Sequence, residues 1–284
     1  MAEPHTNPTA APRKRALVTG ASTGIGAAFA QQLAGLGYDL ILVARTKSLL
    51  DELARKLHDR HGSEVTVVAA DLSTKEGQST VVRLVASDPG LSMLVNAAGS
   101  ANWGNHADLE VAGEVALIEL NVVALVRLTK AALPAMLARG QGAIINVASL
   151  SSFAPIPSIA TYCGTKSFVA NFTESLYEEL RGTGVYVQAL CPGFTRTNIF
   201  ARAGANERRV PKILWQTPEA VVRCSLKALR RRQARCVPGL RNYVCMLWVL
   251  WMPRWMSRHI ASNLLGRFEK LEPRPPERAA PVTT

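Results

Sequence analysis

Three polar side chains in the second half of the chain have the types and spacing needed to move a proton to or from a carbonyl group. Tyr162 and Lys166 are four residues apart, so on a helix they share one face. An ammonium near a phenol favours phenolate, which predicts that the pKa of Tyr162 falls from about 10 towards neutrality. The Ser149 hydroxyl can hydrogen-bond a substrate oxygen on which negative charge develops. Taken singly, such residues are more often ordinary surface features, so the set carries the argument.

A glycine-rich segment near the N-terminus has the composition of a phosphate-binding loop. Gly20, Gly24 and Gly26 follow a short apolar run in the order G-x-x-x-G-x-G. Glycines at a turn from strand to helix let the backbone approach a pyrophosphate closely, and the helix N-terminus presents free N–H groups to it. Such a turn can also serve packing alone, so this motif by itself leaves a nucleotide site open.

The elements that must position these residues are short apolar runs separated by longer amphipathic segments. The runs lack strict polar alternation, as expected of parallel strands covered by helices on both faces. Repeated βαβ units predict a single doubly wound, Rossmann-like α/β domain with a mostly parallel seven-stranded sheet and helices on both faces. The predicted strands are 15–20, 39–44, 64–69, 91–95, 142–148, 185–191 and 235–237, and the predicted crossover helices are 24–36, 46–61, 74–87, 108–137 and 158–181.

The predicted domain occupies residues 15–240 and includes a substrate loop at 196–215, where no periodicity is visible. Residues 241–271 form an apolar and basic C-terminal extension. Residues 1–14 and 272–284 are predicted to be disordered tails, because the first has no sustained apolar run and the second combines three prolines with charge between 272 and 278.

Six motifs in a fixed order resemble those of the extended short-chain dehydrogenase/reductase family. The glycine loop is followed by Asn-Ala-Ala-Gly at 96–99, Asn121, Ser149, the Y-x-x-x-K pair at 162–166 and Pro-Gly at 192–193. Each motif stands at the end of a predicted strand or inside the expected helix, and the resemblance covers about residues 15–240. The second residue of the 96–99 motif is alanine where the family usually has asparagine, which changes little if the contact is made by the backbone.

The resemblance implies an oxidoreductase that transfers hydride directly and needs no metal. Tyr162 would donate the proton during reduction and Ser149 would orient the carbonyl, so both would contact the substrate. Lys166 would also hold the nicotinamide ribose, and Asn121 would anchor a water in the proton relay. The expected catalytic set is therefore Asn121, Ser149, Tyr162 and Lys166.

The end of the second strand indicates which dinucleotide is bound. An acidic residue there would bind the ribose 2′-hydroxyl of NAD, whereas Ala44 removes the acid and Arg45 offers a guanidinium suited to a 2′-phosphate. NADP(H) is therefore the predicted cofactor, although Arg45 could simply end the strand in solvent. By resemblance, Asp71 and Leu72 contact the adenine and Thr195 the carboxamide. The predicted cofactor residues are Gly20, Ser22, Thr23, Gly24, Ile25, Gly26, Arg45, Asp71, Leu72, Asn96, Ala97, Gly99, Tyr162, Lys166, Pro192, Gly193 and Thr195.

The C-terminal extension contains ten apolar residues at 243–252, which are too few to span a bilayer. Its tryptophans and the flanking Arg241, Arg254 and Arg258 suit a segment lying at a membrane surface. A helix packed over the substrate cleft or against another subunit is the equally weighted alternative. Either interpretation favours a hydrophobic ketone or alcohol as substrate, such as a steroid, fatty-acyl or other lipid ketone.

Charge and cysteine content exclude other classes. The formal net charge of +12 is confined to the C-terminal third, because residues 1–195 carry 15 Lys and Arg against 16 Asp and Glu. That distribution, without aromatic residues among the arginines at 230–235, argues against nucleic acid binding. Five cysteines without a C-x-x-C pair predict neither disulfides nor a metal site and favour the cytoplasm, with the extension a candidate for peripheral membrane contact.

The predicted function is NADP(H)-dependent interconversion of a hydrophobic ketone and its secondary alcohol, with Tyr162 as general acid and base. The alternative is a non-catalytic NADP-binding or membrane-recruited interaction protein on the same fold. The family resemblance also implies a homodimer or homotetramer built on the helix of Tyr162 and its neighbour.

Overall fold

Seven short runs rich in aliphatic residues form one parallel sheet in the computed structural model, which describes residues 13–199, 203 and 211–265. The inner strands are buried on both faces, which explains why their sequences lack polar alternation. The strand order is β3-β2-β1-β4-β5-β6-β7, and every neighbouring pair is parallel. The strands are β1 Lys14–Thr19, β2 Tyr38–Ala44, β3 Val65–Ala69, β4 Leu91–Asn96, β5 Gly142–Val147, β6 Val185–Leu190 and β7 Arg235–Cys236.

Helices cover both faces of this sheet. Phe29 of α1, Leu50 of α2 and Val222 of α7 belong to the core cluster on one face. Val81 of α3 and Leu128 of α5 belong, with α6, to the cluster on the other face. The helices are α1 Gly24–Gly35, α2 Lys47–His61, α3 Lys75–Ala86, α4 Val111–Ile118, α5 Ala124–Arg139, α6 Ala160–Glu179, α7 Pro218–Arg230, α8 Leu240–Trp251 and α9 Arg254–Leu265.

The chain winds outwards in two directions from β1. Strands β2 and β3 lie on one side of β1, whereas β4 to β7 lie on the other. The crossovers therefore diverge at the carboxyl ends of β1 and β4, which opens a crevice of the kind that binds dinucleotides in doubly wound sheets. This architecture confirms the predicted Rossmann-like α/β fold, and the sheet is entirely rather than mostly parallel.

The helix predicted at 108–137 is interrupted by a π-helical turn. Helices α4 and α5 continue into each other through Glu119–Val123, where the hydrogen bonds span one additional residue. Such π turns occur frequently at functional sites because they reorient a side chain within an otherwise regular helix. Here the reoriented residue is Asn121, whose side chain is 1% exposed.

Several predicted boundaries shift in the structure. The predicted N-terminal tail 1–14 is wrong at its end, because Lys14 opens β1 and the Arg13 guanidinium donates to the carbonyl oxygens of His61 (3.0 Å) and Gly62 (2.7 Å). The predicted extension begins at 241, and α8 begins one residue earlier. Residues 1–12, half of the predicted loop at 196–215 (200–202 and 204–210), residues 266–271 and the predicted tail 272–284 lie outside the described residues.

Candidate active site

The carboxyl ends of the central strands open into a cavity of 1310 Å³. Its wall on the side of β1 and β2 contains the glycine loop, and its floor contains Ser149, Tyr162 and Lys166. Apolar side chains form much of the rest of the cavity lining. The cavity therefore combines a backbone-lined half suited to a dinucleotide with an apolar half suited to a hydrophobic molecule.

Ser149 stands two residues beyond the end of β5, where the chain leaves the sheet. Its Oγ accepts a hydrogen bond from the N–H of Ser151 at 3.1 Å and so begins the short 3-10 turn Leu150–Ser152. The same hydroxyl is hydrogen-bonded to the Tyr162 side chain. Since Ser151 uses one lone pair of Ser149, the Ser149 proton can be donated to the Tyr162 oxygen or, when a ligand is bound, to a ligand oxygen.

Tyr162 and Lys166 lie one helical turn apart near the start of α6, as their spacing predicts. The Lys166 Nζ atom is 5.8 Å from the centroid of the Tyr162 ring and donates a 2.7 Å hydrogen bond to the carbonyl oxygen of Val147. Lys166 is only 4% exposed, although its side chain reaches the cavity. The strand end and the helix start thus bring the three predicted side chains together.

The pKa of Tyr162 shifts in the direction opposite to the sequence prediction. Burial raises it to about 12, and the hydrogen bond with Ser149 only partly offsets that effect. Burial likewise lowers the pKa of Lys166 from 10.5 to about 8. Desolvation disfavours both charged forms, and in the protein without cofactor it outweighs the expected attraction between phenolate and ammonium.

The lowered pKa of Lys166 predicts a stability that depends on pH. Between about pH 8 and 10.5 the unfolded chain holds a proton at this lysine that the folded chain has lost, so folding becomes more favourable as the pH rises. Compared with Lys166→Met, the wild type should gain about 3 kcal/mol in the free energy of unfolding across this range. Denaturant unfolding at four pH values checks this, without added cofactor.

Lys130→Met removes an exposed lysine from α5 and is the matched control for loss of a lysine. If the difference in the free energy of unfolding between wild type and Lys166→Met stays constant from pH 7 to pH 10.5, the role given to burial of Lys166 is contradicted.

The glycine loop has the close packing that a phosphate cradle needs. Gly20 has a φ of +64°, and a Cβ at this position would lie 2.9 Å from the carbonyl oxygen of Ala97. A Cβ at Gly26 would lie 2.2 Å from the carbonyl oxygen of Gly20. Thr19 fastens the loop to the end of β4, because its Oγ1 accepts from the N–H groups of Ala97 and Ala98, both at 3.0 Å. These residues fit a dinucleotide pyrophosphate at the N-terminus of α1.

Arg45 and Asp71 flank the far end of the same half of the cavity. Arg45 is exposed, and the described residues offer it neither a hydrogen bond nor an ion pair. Burial alone would raise the pKa of Asp71, but hydrogen bonds from the hydroxyl and N–H of Ser73, together with the nearby Arg45, lower it. An ionised Asp71 and a nearby guanidinium that makes no hydrogen bond or ion pair within the described residues are suited to the adenosine end of NADP.

Most of the predicted site residues line this cavity. They are Gly20, Ser22, Thr23, Gly24, Ile25, Gly26, Arg45, Asp71, Leu72, Ala97, Gly99, Ser149, Tyr162, Lys166, Pro192, Gly193 and Thr195. Their individual contacts with a cofactor or substrate stay predictions.

Asn96, predicted to bind the cofactor, instead turns its side chain into the protein interior. Its Nδ2 donates to Asn146 Oδ1 at 2.9 Å and to Thr129 Oγ1 at 3.2 Å, and Asn146 in turn donates to Thr173 at 3.0 Å. Asn96 pairs with Asn146 in the register of β4 and β5. The paired asparagines therefore cross-link two strands below the cavity, which Asn96 does not line.

Asn121 also lies behind the cavity wall. Its Oδ1 accepts from the N–H of Ser100 at 3.0 Å, and its Nδ2 donates to the Ser100 carbonyl oxygen (3.0 Å) and to Thr165 Oγ1 (3.1 Å). The side chain thus ties the segment after β4 to the helix of Tyr162. We identify it as a positioning residue, and the predicted role in holding a relay water stays a prediction.

Apart from the 243–252 segment, sequence reasoning missed the residues that form the apolar half of the cavity. Val244 and Trp248 reach it from α8, so this helix packs over the cleft, one of the alternatives considered for the extension. Neither the loops nor α8 carried a motif that could have identified these positions. The apolar lining includes Trp103, Leu117, Leu120, Phe153, Ile156, Ile199, Leu214, Val244, Trp248, Val249, Met252 and Ile260.

The described residues contain no group of three or more His, Cys, Asp and Glu side chains placed to hold a metal ion. None of the described helices combines the length and apolar character that crossing a bilayer requires.

Comparison with known proteins identifies the family. The family described as short chain dehydrogenase matches residues 14–208. A short-chain dehydrogenase from Sphingobium yanoikuyae, solved with NADPH, is 34% identical with a TM-score of 0.77, covering 93% of this chain and 98% of that chain. A bulky-bulky ketone specific alcohol dehydrogenase from Comamonas testosteroni is 29% identical with a TM-score of 0.73, covering 94% and 99% respectively.

A very-long-chain 3-oxoacyl-CoA reductase of Macaca fascicularis is 30% identical over 254 residues, which are 88% of this chain and 78% of that protein. The family match covers more than half of the chain and includes the glycine loop, Ser149, Tyr162 and Lys166. The chain therefore belongs to the short-chain dehydrogenase family, as the motifs predicted, and is an oxidoreductase.

Proposed function

We propose that this protein binds NADP(H) and interconverts a bulky hydrophobic ketone and its secondary alcohol. The observation that carries the proposal is the convergence of Ser149, Tyr162 and Lys166 between a glycine-lined half and an apolar half of one cavity. NADPH-bound relatives support the choice of cofactor, as does Arg45, which makes no hydrogen bond or ion pair within the described residues.

When bound in the glycine-lined half of the cavity, NADPH would supply hydride for the carbonyl carbon. Ser149 donates a hydrogen bond to the carbonyl oxygen and polarises it. As negative charge grows there, the Tyr162 hydroxyl transfers its proton to the same oxygen, which yields the alcohol and a phenolate. Lys166, whose pKa is about 8, is mostly protonated at pH 7, so its charge stabilises the phenolate. Oxidation of the alcohol runs these steps in reverse.

The apolar half of the cavity supports the substrate class. Aromatic and aliphatic side chains such as Phe153, Trp248 and Met252 would bury a large apolar body and offer few hydrogen bonds to a sugar. Two relatives act, by name, on bulky ketones and on very-long-chain 3-oxoacyl-CoA. These names and the apolar lining favour bulky ketones, such as steroid and aromatic ketones, and long-chain 3-oxoacyl compounds as the first candidates.

The test is a screen of ketones in the presence of NADPH. The decrease in absorbance at the nicotinamide band measures NADPH oxidation. We expect turnover with at least one bulky apolar ketone and little with small sugars. Binding of NADPH without turnover of any steroid, 3-oxoacyl or aromatic ketone would instead favour the alternative of a non-catalytic NADP-binding protein.

We further propose that the outer surface of α8 and α9 contacts an anionic membrane surface. Trp251 is 88% exposed and Trp255 is 64% exposed, with Leu247 and Leu250 on the same outer region. Arg258 lies beside them on α9 and is exposed. Exposed tryptophans with neighbouring arginines are typical of helices that lie in the lipid headgroup region.

Removing these tryptophans should weaken membrane binding. We expect the wild type to float with vesicles of phosphatidylcholine and phosphatidylserine, and Trp251→Ala/Trp255→Ala to bind them about tenfold more weakly, because two large apolar surfaces are lost. Leu36→Ala serves as the control, because it removes an exposed apolar side chain that is distant in sequence from α8 and α9. Equal flotation of wild type and the double variant would rule out this surface.

The exposed apolar residues of α4 and α6 support a homodimer or homotetramer. Val111, Val115 and Ile118 recur at helical spacing and are exposed on α4, and Phe168 of α6 is 43% exposed while stacked on Phe172. Phe168→Asp should place a charge in such a contact and shift the protein towards monomer. Light scattering coupled to gel filtration measures this; an unchanged mass would exclude α6 from the subunit contact.

A further inference from the structure

The first turn of α8 is joined to the rest of the site by a pair of side-chain amides. Asn242 Nδ2 donates to Gln216 Oε1 at 3.0 Å and to the carbonyl oxygen of Pro238 at 2.9 Å. Gln216 Nε2 donates to the same Pro238 oxygen at 3.0 Å. The two amides and one carbonyl form a small closed network, which we call the amide pair.

Gln216 is fixed to the turn that follows β6. Its N–H donates to the carbonyl oxygen of Phe194 at 2.8 Å, and its own carbonyl accepts from the N–H of Arg196 at 2.9 Å. These bonds form an isolated parallel bridge with Thr195. Any shift of Gln216 therefore moves the turn that contains Gly193 and Thr195, both of which line the cavity.

Asn242 rests directly on the same turn. A Cβ at Gly193 would lie 2.6 Å from Asn242 Nδ2, so the absence of a side chain at 193 makes room for the amide. Gly239 has a φ of +84°, and a Cβ there would lie 2.5 Å from Gln216 Nε2. Two glycines thus leave the space that the amide pair occupies.

Helix α8 continues from Asn242 into the apolar half of the cavity. Val244, Cys245, Trp248 and Val249 all line it. The amide pair is therefore placed between the side chains that would hold the substrate and the turn that would hold the nicotinamide end of the cofactor.

We propose that Gln216 and Asn242 are positioning residues that couple the seating of α8 over the substrate to cofactor binding at the Gly193–Thr195 turn. The inference rests on the proposed function for the identity of both ligands. Coupling of this kind is reciprocal, so cofactor binding should restrain α8 and a bound substrate should tighten the hold on the cofactor.

The exposed thiol of Cys245, three residues beyond Asn242, reports on the position of α8 without any substrate. We would follow its alkylation by a maleimide in peptide mass spectra, with and without saturating NADPH. In the wild type, NADPH should slow the alkylation of Cys245. We define protection as the rate of Cys245 alkylation without NADPH divided by the rate with NADPH. In Asn242→Ala and in Gln216→Ala this ratio should be about threefold to tenfold smaller than in the wild type, because neutral hydrogen bonds of the pair are lost.

The control is Asn171→Ala, which removes an exposed asparagine whose hydrogen bond stays within α6, and it should retain full protection. Full protection in both amide variants would overturn the coupling. Loss of native circular dichroism and of NADPH binding in both variants would also overturn it, because the pair would then be purely structural. If NADPH binds and the labelling result holds but no ketone turns over, the proposed function fails and the coupling stands.

Discussion

Tyr162→Phe should lower kcat for ketone reduction by about a thousandfold while NADPH binding stays within about threefold of the wild type. The variant retains the ring near Lys166 but lacks the proton that must reach the carbonyl oxygen. Ser149 can still polarise that oxygen, so we expect a small residual rate rather than none. NADPH oxidation with the best ketone of the screen and fluorescence titration of NADPH measure the two quantities.

Tyr177→Phe is the matched control, because Tyr177 lies on the same helix and its hydroxyl donates to the carbonyl oxygen of Arg232 at 2.8 Å, away from the cavity. A Tyr162→Phe variant with more than a tenth of wild-type kcat would mean that another group supplies the proton. A thousandfold loss of NADPH affinity would instead make cofactor binding, rather than proton transfer, the main role of Tyr162.

The raised pKa of Tyr162 determines the protonation state from which each direction of the reaction begins. A phenol with a pKa of about 12 is protonated throughout the neutral range and is ready to donate, as reduction requires. Oxidation of an alcohol requires the phenolate, which burial disfavours in the protein without cofactor. At neutral pH and without cofactor, Tyr162 therefore holds the proton that reduction consumes and must lose it before an alcohol can be oxidised.

The fold and the central site were accessible from sequence because both follow from local patterns. Alternating apolar runs and crossovers predict a parallel sheet, and a parallel sheet brings all its carboxyl ends to one edge. Ser149 and Tyr162 had to meet there, since one follows β5 and the other opens the next helix. Their side chains do meet, and their hydrogen bond was expected from neither residue alone.

Other features of the site could not be predicted from the sequence, because they depend on how deeply a side chain is buried and on the register between strands. The pKa of Tyr162 moves up because desolvation outweighs the hydrogen bond with Ser149, and the extent of that burial cannot be read from a spacing of four residues. Asn96 belongs to a motif, yet its side chain bonds Asn146 because β4 and β5 place the two at one register position. The π turn at Asn121 has no recognisable sequence signal.

Ala44→Asp should shift the cofactor preference from NADP towards NAD. Ala44 lies at the end of β2 and lines the cavity beside Arg45. A carboxylate at this position would accept hydrogen bonds from the ribose hydroxyls of NAD and would repel a 2′-phosphate. It would also engage Arg45, to which the described residues offer no other ion pair. We expect the ratio of kcat/KM for NADPH over NADH to fall by about a hundredfold.

A second variant separates the effect of the introduced carboxylate on cofactor preference from that of the Arg45 guanidinium. Arg45→Ala should weaken use of NADPH without improving use of NADH, because it removes the partner of the 2′-phosphate and adds no group for the ribose hydroxyls. Lys47→Ala is the control, since Lys47 is a nearby cation that pairs with Asp51 at 2.7 Å and does not line the cavity. If the ratio of kcat/KM for NADPH over NADH is unchanged in Ala44→Asp, the role of this turn is refuted. If kcat/KM for NADPH falls equally in Arg45→Ala and Lys47→Ala, the preference for NADPH comes from general positive charge.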